Sequence, residues 1–127
     1  MNRSKKANKY GTAVEKKVFS KYGIVPARSS WCDAEFRTTG TPIEIKSAML
    51  RRSNGQPGNF KLYEQYHRRL RRNDGYYIFA VYRPYGRGTR VLKTKLVHSS
   101  RVPRLSWHGG GEHRDTRQAK LAIADIF

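Results

Sequence analysis

The sequence predicts one α/β (or α+β) domain in which helices flank a mixed central β-sheet of about five strands. Residues 9–22 place apolar side chains at helical spacing. Residues 30–49 form two apolar-alternating segments around a polar turn, which is typical of a β-hairpin. Residues 76–82 are an uninterrupted apolar run, as expected of a central strand that is covered on both faces. A chain of 127 residues suits one domain with one core.

The individual elements follow from apolar spacing and from the residues that interrupt it. Gly23 ends the first helix, and Gly75 lies in the turn that ends the second. The alternation over 89–97 favours an outer strand with lysines in solvent, on which Val91 and Val97 share a face. In chain order the sequence predicts a helix over 9–22, strands over 24–28, 31–38 and 42–49, a loop over 50–59, a helix over 60–73, strands over 76–82 and 89–97, and a last helix capped by Asp115 or Thr116.

The charge balance points to a polyanionic partner. The chain has 27 Lys and Arg against 9 Asp and Glu, which gives a net charge of +18. Basic residues are spread along the whole chain and are not gathered on one amphipathic helix, so nucleic acid is favoured over a membrane surface. Charge alone does not separate an enzyme from a plain binding protein, because neutralising phosphates gives affinity without chemistry.

Cysteine usage and hydropathy indicate an intracellular protein. One cysteine excludes an internal disulfide and suggests a reducing, cytoplasmic setting. No apolar run is long enough to span a membrane, and the N-terminus lacks the apolar stretch of a signal peptide. We interpret Cys32 as a small buried residue and not as a nucleophile, because no basic partner is placed for it.

Two acids and a lysine on the predicted hairpin form a candidate catalytic group. Glu44 and Lys46 are two residues apart on the second strand, so their side chains emerge on one face while Ile43 and Ile45 point to the other. The hairpin can bring Asp33 next to them. Two carboxylates and an ammonium group are what binding Mg²⁺ or Mn²⁺ beside a phosphate requires.

Glu15, near the apolar stripe of the first helix, is a candidate third acid. The alternative interpretation is an ordinary solvated strand face, on which a Glu-x-Lys pair is common. We favour the metal site, because carboxylates are scarce in so basic a chain and a pair of them on one short hairpin is unexpected.

The order of these residues resembles the PD-(D/E)xK nuclease superfamily, and within it the archaeal-type Holliday junction resolvases, over residues 9–97. Members carry an acid on the first helix, as at Glu15, a metal aspartate, as at Asp33, and a Glu-x-Lys pair, as at Glu44 and Lys46. A serine often precedes the aspartate, as at Ser30, whereas Cys32 stands where the family has proline. The resemblance implies a restriction-endonuclease-like core, metal-dependent hydrolysis of DNA and a homodimer.

Within that resemblance each site residue has an expected role. Asp33 and Glu44 are expected to ligate Mg²⁺ or Mn²⁺, with Glu15 assisting directly or through water. Lys46 is expected to orient the attacking water and to offset charge in the transition state. Trp31 is expected to pack. The predicted DNA contacts are Ser30, Lys16, Lys17, Arg51, Arg52, Arg68, Arg69 and Arg72.

Three segments are predicted: a basic arm over 1–8, a nuclease core over 9–97, and a basic loop with a C-terminal helix over 98–127. The last part is expected either to pack on the core or to form a dimer contact. His108, Glu112 and His113 match no closed zinc pattern, so a flexible basic loop is favoured there.

Three functional classes stay open at this point. The first is an endonuclease selective for branched DNA. The second is a homing, restriction-type or repair endonuclease of the same superfamily. The third is a basic nucleic-acid-binding protein without catalytic activity.

Overall fold

The computed structural model describes residues 5–109 and 116–127, with side chains from residue 13 onward. Residues 1–4 of the predicted arm, together with Glu112, His113 and Asp115, lie outside this range. The elements are α1 (Lys5–Lys21), β1 (Ile24–Pro26), β2 (Ala34–Phe36), β3 (Pro42–Met49), β4 (Asn59–Tyr63), α2 (Glu64–Arg72), β5 (Tyr76–Tyr85), β6 (Gly88–His98), a 3₁₀ turn (Ser99–Arg101), β7 (Gln118–Ala122) and α3 (Ile123–Ile126).

Five strands form a mixed sheet in the order β1-β2-β3-β5-β6. Strands β3 and β5 are parallel, and the other neighbours are antiparallel. The chain crosses from β3 to β5 through β4 and α2, which a parallel pair requires. The predicted mixed sheet of five strands flanked by helices is therefore confirmed, with β6 as its predicted outer strand.

The two faces of the sheet carry separate apolar clusters. On one face, Val14 and Val18 of α1 pack with Ile43 and Ile78. On the other face, Tyr77 packs with the side chains that β4, β7 and α3 contribute. Residues alternate along a strand, so Glu44 and Lys46 lie on the second face while Ile43 and Ile45 pack towards α1. The expected alternation on β3 is confirmed.

The predicted helix over 60–73 is wrong in its first turn. Phe60 and Leu62 belong to β4, where both side chains are fully buried, and the helix begins only at Glu64. The spacing of Phe60 and Tyr63 matched a helix, but burial of residues two apart is the strand period.

The predicted C-terminal helix is also wrong. Residues 118–122 form β7, which pairs antiparallel with β4, and only the four residues of α3 are helical. Ala119 and Leu121 are buried at strand spacing, and Ile123 and Ile126 close the same cluster. Residues 118–126 pack on the core, which is one of the two arrangements expected for the C-terminal segment.

Smaller differences concern strand ends and register. The first two strands are shorter than predicted, and α1 starts at Lys5, inside the expected arm. Strand β5 continues through Arg83 to Tyr85, so the predicted turn over 83–88 shrinks to two residues.

Val81 lies opposite Lys93, and the next residue of β5 lies opposite Val91, so β6 contains one extra residue at this point. This bulge turns Val91 towards α1 and leaves Val97 on the other face, which corrects their predicted shared face.

No helix in residues 5–109 or 116–127 is long and apolar enough to cross a membrane. The predicted packing of Trp31 is confirmed, since its ring lies against the cluster that contains Tyr77.

Candidate active site

Asp33 lies in the bend directly before β2 and is fixed to the backbone of β3. Its N–H donates to the carbonyl of Ile43 at 3.1 Å. Its Oδ2 accepts a hydrogen bond from the N–H of Ile45 at 2.8 Å. These two bonds span the residue between them, so the Asp33 carboxylate is held beside Glu44.

Glu44 is a buried carboxyl group on a central strand. Its side chain is 12% exposed, and Oε2 lies 3.6 Å from Nζ of Lys46. Burial and the negative charge of Asp33 raise the pKa of Glu44 to about 8, although Lys46 acts in the opposite sense. Two carboxyl groups in one desolvated space repel each other when both are ionised, so this position favours a cation.

Lys46 is fixed between a carboxylate and an aromatic ring. Its side chain is 17% exposed, and Nζ lies 5.2 Å from the ring centroid of Tyr63, at the end of β4. The face of the Tyr63 ring and the carboxylate of Glu44 both attract the ammonium group. Strand β4, which was not predicted from the sequence, therefore helps to position the lysine.

Tyr77 and His67 form a neutral pair behind Glu44. Tyr77 is the register partner of Glu44 on β5, and its hydroxyl lies 2.8 Å from Nδ1 of His67. Burial first and the charge of Glu44 second raise the pKa of Tyr77, so the phenol stays protonated. Burial, with Arg71 and Arg68, lowers the pKa of His67. His67 was not singled out from the sequence, and the register of Tyr77 with Glu44 is the structural signal that identifies the pair.

The Cys32 thiol is unreactive as a nucleophile, as expected. Burial first and the charge of Glu44 second raise its pKa to about 11. The thiol also lies 3.7 Å from the carbonyl oxygen of Ala34, to which it donates. Thiolate is the reactive form of cysteine, so this protonated thiol is a packing group.

Glu15 does not join the other acids in a metal-holding group. Among residues 5–109 and 116–127, no three His, Cys, Asp or Glu side chains are arranged to hold a metal ion. Helix α1 covers the sheet face of Ile43, whereas Glu44 points to the opposite face. The structure brings Asp33, Glu44 and Lys46 together, and the assisting role of Glu15 stays a prediction.

The chemistry of Asp33 and Glu44 fits a hard divalent cation. Both offer carboxylate oxygens, which Mg²⁺ and Mn²⁺ prefer. The raised pKa of Glu44 is the sign of an anionic pair that its protein surroundings do not neutralise. Two carboxylates leave the remaining coordination positions to water and phosphate oxygens, as is usual for Mg²⁺.

Two of the predicted DNA contacts border the site. The guanidinium carbon of Arg69 lies 4.6 Å from the ring centroid of Trp31, which stands two residues before Asp33. Ser30 is exposed in the same bend. Ser30 and the Arg69–Trp31 pair therefore lie close to Asp33 along the chain or through Trp31, and their role as phosphate contacts stays a prediction.

The remaining predicted DNA contacts, on α2 and in the loop after β3, differ in whether other protein groups bind their side chains. Arg68 is bound to Glu64 at 3.0 Å, and Glu64 also holds Arg117 at 2.6 Å, which ties α2 to the start of β7. Arg72 is exposed at the end of α2. Arg51 and Arg52 are exposed in the loop after β3, where Nη1 of Arg51 donates to the carbonyl of Gly55 at 3.3 Å.

Lys16 and Lys17 lie away from Glu44. They line a groove of about 600 Å³ between α1 and the hairpin of β5 and β6, with Thr89 and Arg90 on the other wall. Their predicted role as phosphate contacts therefore belongs to a surface separate from the carboxylates.

The structure thus places two acids and a lysine together on a mixed sheet. A family model described as a PD-(D/E)XK nuclease superfamily domain matches residues 1–127. The chain belongs to the PD-(D/E)XK nuclease superfamily, which indicates a metal-dependent nuclease acting on nucleic acid. The match does not extend to the Holliday junction resolvase type. No curated protein and no solved structure matches the chain.

Proposed function

We propose that the protein is an endonuclease that hydrolyses phosphodiester bonds in DNA with Mg²⁺ or Mn²⁺. The observation that carries this proposal is the burial of Glu44 against Asp33, with Lys46 3.6 Å away on the same strand face. An excess of positive charge over the rest of the chain supports a polyanionic substrate.

Each residue of the group has a distinct task in this proposal. Asp33 and Glu44 hold the metal, which when bound polarises the scissile phosphate and lowers the pKa of a water molecule. Lys46 orients the attacking water and offsets the charge that develops on the phosphate oxygens. Tyr63 keeps the ammonium group of Lys46 in place. Glu15 assists directly or through water from α1, although that helix packs on the other face of the sheet.

Basic and polar side chains around the group position the DNA backbone without reading its sequence. Arg69 and Ser30 bind the DNA backbone beside Asp33, and Arg51 and Arg52, in the loop after β3, bind it near the scissile phosphate. Arg68 and Arg72 extend the same positive surface along α2.

Plasmid nicking tests the proposal. Replacing Asp33, Glu44 or Lys46 by Ala is expected to lower metal-dependent cleavage by about 10²-fold or more, because each contributes to charge stabilisation in the transition state. DNA binding in EDTA is expected to survive in all three variants. Undiminished cutting by all three would refute the proposal.

Two matched substitutions control for altered folding and charge. Glu35 is an acid on β2 that binds Arg28 at 3.1 Å, so Glu35→Gln changes a carboxyl group of the same hairpin outside the site. Lys61 is an exposed strand lysine on β4, so Lys61→Ala matches Lys46→Ala in charge. Both controls are expected to keep near-normal cleavage.

Selectivity for branched DNA is the finer part of the proposal. It rests on the order Glu15, Asp33, Glu44 and Lys46, which resembles that of the Holliday junction resolvases, and it implies a homodimer because paired nicks need two sites. Four-way junctions, flaps and linear duplexes should be compared as substrates, with the mass in solution measured by light scattering. A monomer that cuts linear duplex as fast as junctions would contradict this part alone.

The other classes give different outcomes in the same assays. A homing, restriction-type or repair enzyme would cut duplexes that bear a particular sequence or lesion and show no preference for junctions. A non-catalytic binding protein would bind DNA whichever metal ion is added and would nick none of the substrates. Asp33→Ala, measured beside the wild-type chain, separates these outcomes from a contaminating nuclease.

A further inference from the structure

The β5–β6 hairpin is a cationic projection that the proposed active site does not use. Residues 83–95 contain five Lys and Arg and no Asp or Glu. The paired strands continue past the level of Met49, where β3 ends opposite Tyr82. The tip therefore stands out as a two-stranded ribbon beyond the end of β3.

An exposed tyrosine organises the arginines of this ribbon. Tyr85 has an exposed fraction of 53%, which is unusual for so large an aromatic side chain. The guanidinium carbon of Arg90 lies 3.9 Å from its ring centroid, and that of Arg83 lies 5.3 Å away. The ring thus holds two cations on one strand face, which lowers the entropy lost when they bind an anion.

By strand alternation this cluster projects from the face of the sheet that carries Glu44, and Tyr85 and Arg90 also border the groove between α1 and the hairpin. Tyr77 is the register partner of Glu44, and every second residue of β5 from Tyr77 onward points the same way, which includes Arg83 and Tyr85. Arg90 is the register partner of Arg83 and shares its face. The bulge does not change this relation, because its extra residue lies in β6 between Val91 and Lys93, outside the part of the hairpin from Arg83 to Arg90.

Strand length gives the separation between the two places. Arg83 is six residues and Tyr85 eight residues beyond Tyr77, so the cluster lies about 20–26 Å along the strand direction from the level of Glu44. Base pairs in a duplex rise by about 3.4 Å, so this span corresponds to about six to eight base pairs.

A groove of about 600 Å³ continues the basic surface of the hairpin onto α1. Lys16 and Lys17 line one wall of this groove, and Tyr85 and Arg90 line the other. Cations of the helix and of the hairpin thus border one groove beside the ribbon. A groove of duplex DNA admits a two-stranded ribbon and offers a phosphate chain on each side, whereas an acidic peptide offers one line of charge.

We propose that the β5–β6 hairpin is a second DNA-binding element, which enters a groove of the duplex about six to eight base pairs from the scissile phosphate. Arg83 and Arg90, held in place by Tyr85, bind phosphates together with Lys16 and Lys17, which lie across the α1 groove from Arg90. The proposal rests on the proposed function for the position of the cut but not for the binding itself. It implies that the substrate carries duplex on one side of the cleavage site.

Metal-free binding tests the hairpin independently of catalysis. The double variant Arg83→Ala/Arg90→Ala should bind a labelled duplex about tenfold more weakly in EDTA by fluorescence anisotropy, with a salt slope lower by about two. The matched control is Lys61→Ala/Lys120→Ala, which removes two exposed cations from paired strands β4 and β7. Equal losses in both double variants would show a general charge effect and overturn the proposal.

Duplexes with one arm shortened test the distance. Wild-type affinity should fall once the arm is shorter than about six to eight base pairs, whereas the hairpin double variant should show no such step. Tyr85→Ala should reproduce part of the loss, because the arginines lose their support. Equal binding of single strands, duplex RNA or polyglutamate would overturn the assignment to duplex DNA.

The two proposals fail separately. If no metal supports cleavage but the binding pattern holds, the hairpin assignment stands and the nuclease proposal falls. If cleavage requires Glu44 while the hairpin variant behaves like its control, the nuclease proposal stands and the hairpin assignment falls. Thermal unfolding of every variant confirms that the folded state is compared.

Discussion

The metal-free protein should lose stability as pH rises towards 8, and Glu44→Gln should remove that loss. The folded-state pKa of Glu44 is about 8, above the ordinary value of 4.5 that it has in the unfolded chain. A raised folded-state pKa means that the folded protein binds the proton more tightly. Its stabilising effect is complete below pH 4.5 and is lost as pH rises through about 8.

The expected magnitude follows from this difference in pKa. Between pH 4.5 and pH 7 the unfolded chain releases the proton while the folded chain retains it. Over about 2.5 pH units at about 1.4 kcal/mol each, the loss of unfolding free energy is about 3–3.5 kcal/mol. The amide that Glu44→Gln introduces has no proton to lose. The unfolding free energy of the wild-type chain minus that of the variant should therefore fall by about this amount between pH 4.5 and pH 7.

Urea unfolding in EDTA at pH 5, 6, 7 and 8 measures that difference, and Glu35→Gln provides a control whose difference from the wild-type chain should stay flat over this range, because Glu35 titrates below it. Arg28 lowers the pKa of Glu35, so this residue should stabilise the fold above its unfolded pKa and lose that effect as pH falls. Saturating Mg²⁺, at about 100 times its Kd, should add about 2.7 kcal/mol to the wild-type chain and much less to Glu44→Gln. A flat wild-type minus Glu44→Gln difference from pH 5 to pH 8 would refute the burial of two carboxyl groups together.

Two further predictions concern the parts of the fold that position the site. Leu121 of β7 is 3% exposed, so Leu121→Ala should lower the unfolding free energy by about 2–5 kcal/mol in urea. Leu92→Ala, at a leucine that is 39% exposed, should change it far less, and equal effects would place β7 outside the core. Gly75→Ala should destabilise by about 1–3 kcal/mol, since a Cβ there would lie 2.4 Å from Cδ1 of Leu70 and 2.9 Å from the carbonyl of Pro42. An unchanged melting temperature for Gly75→Ala would contradict this close approach.

The central part of the site could be predicted from sequence because its geometry is local. Glu44 and Lys46 share a face through the two-residue period of one strand, whatever the rest of the fold. Asp33 reaches them through a short hairpin, whose polar turn is visible in the sequence. The structure adds the hydrogen bond from the N–H of Ile45 to Asp33, which no pattern of residue types encodes.

Strands β4 and β7 could not be predicted, because each is stabilised as a strand by pairing with the other. Phe60 and Leu121 are register partners that are distant in the sequence. Phe60 and Tyr63 are spaced as on a helix, and the segment that follows is a helix. Local apolar spacing therefore favoured one long helix, whereas burial of Phe60 and Leu62 against a distant strand decided the outcome.

The same contrast between local and distant information explains Glu15. Helical periodicity placed this residue beside the apolar stripe of α1, which the structure confirms through the burial of Val14 and Val18. Periodicity does not say which face of the sheet the stripe covers. Because α1 packs on the face of Ile43, an acid on that helix must act around the edge of the sheet or through water to reach an ion held by Glu44. The smallest group that the fold itself assembles is therefore Asp33, Glu44 and Lys46, and any contribution of Glu15 has to come with the metal or the substrate.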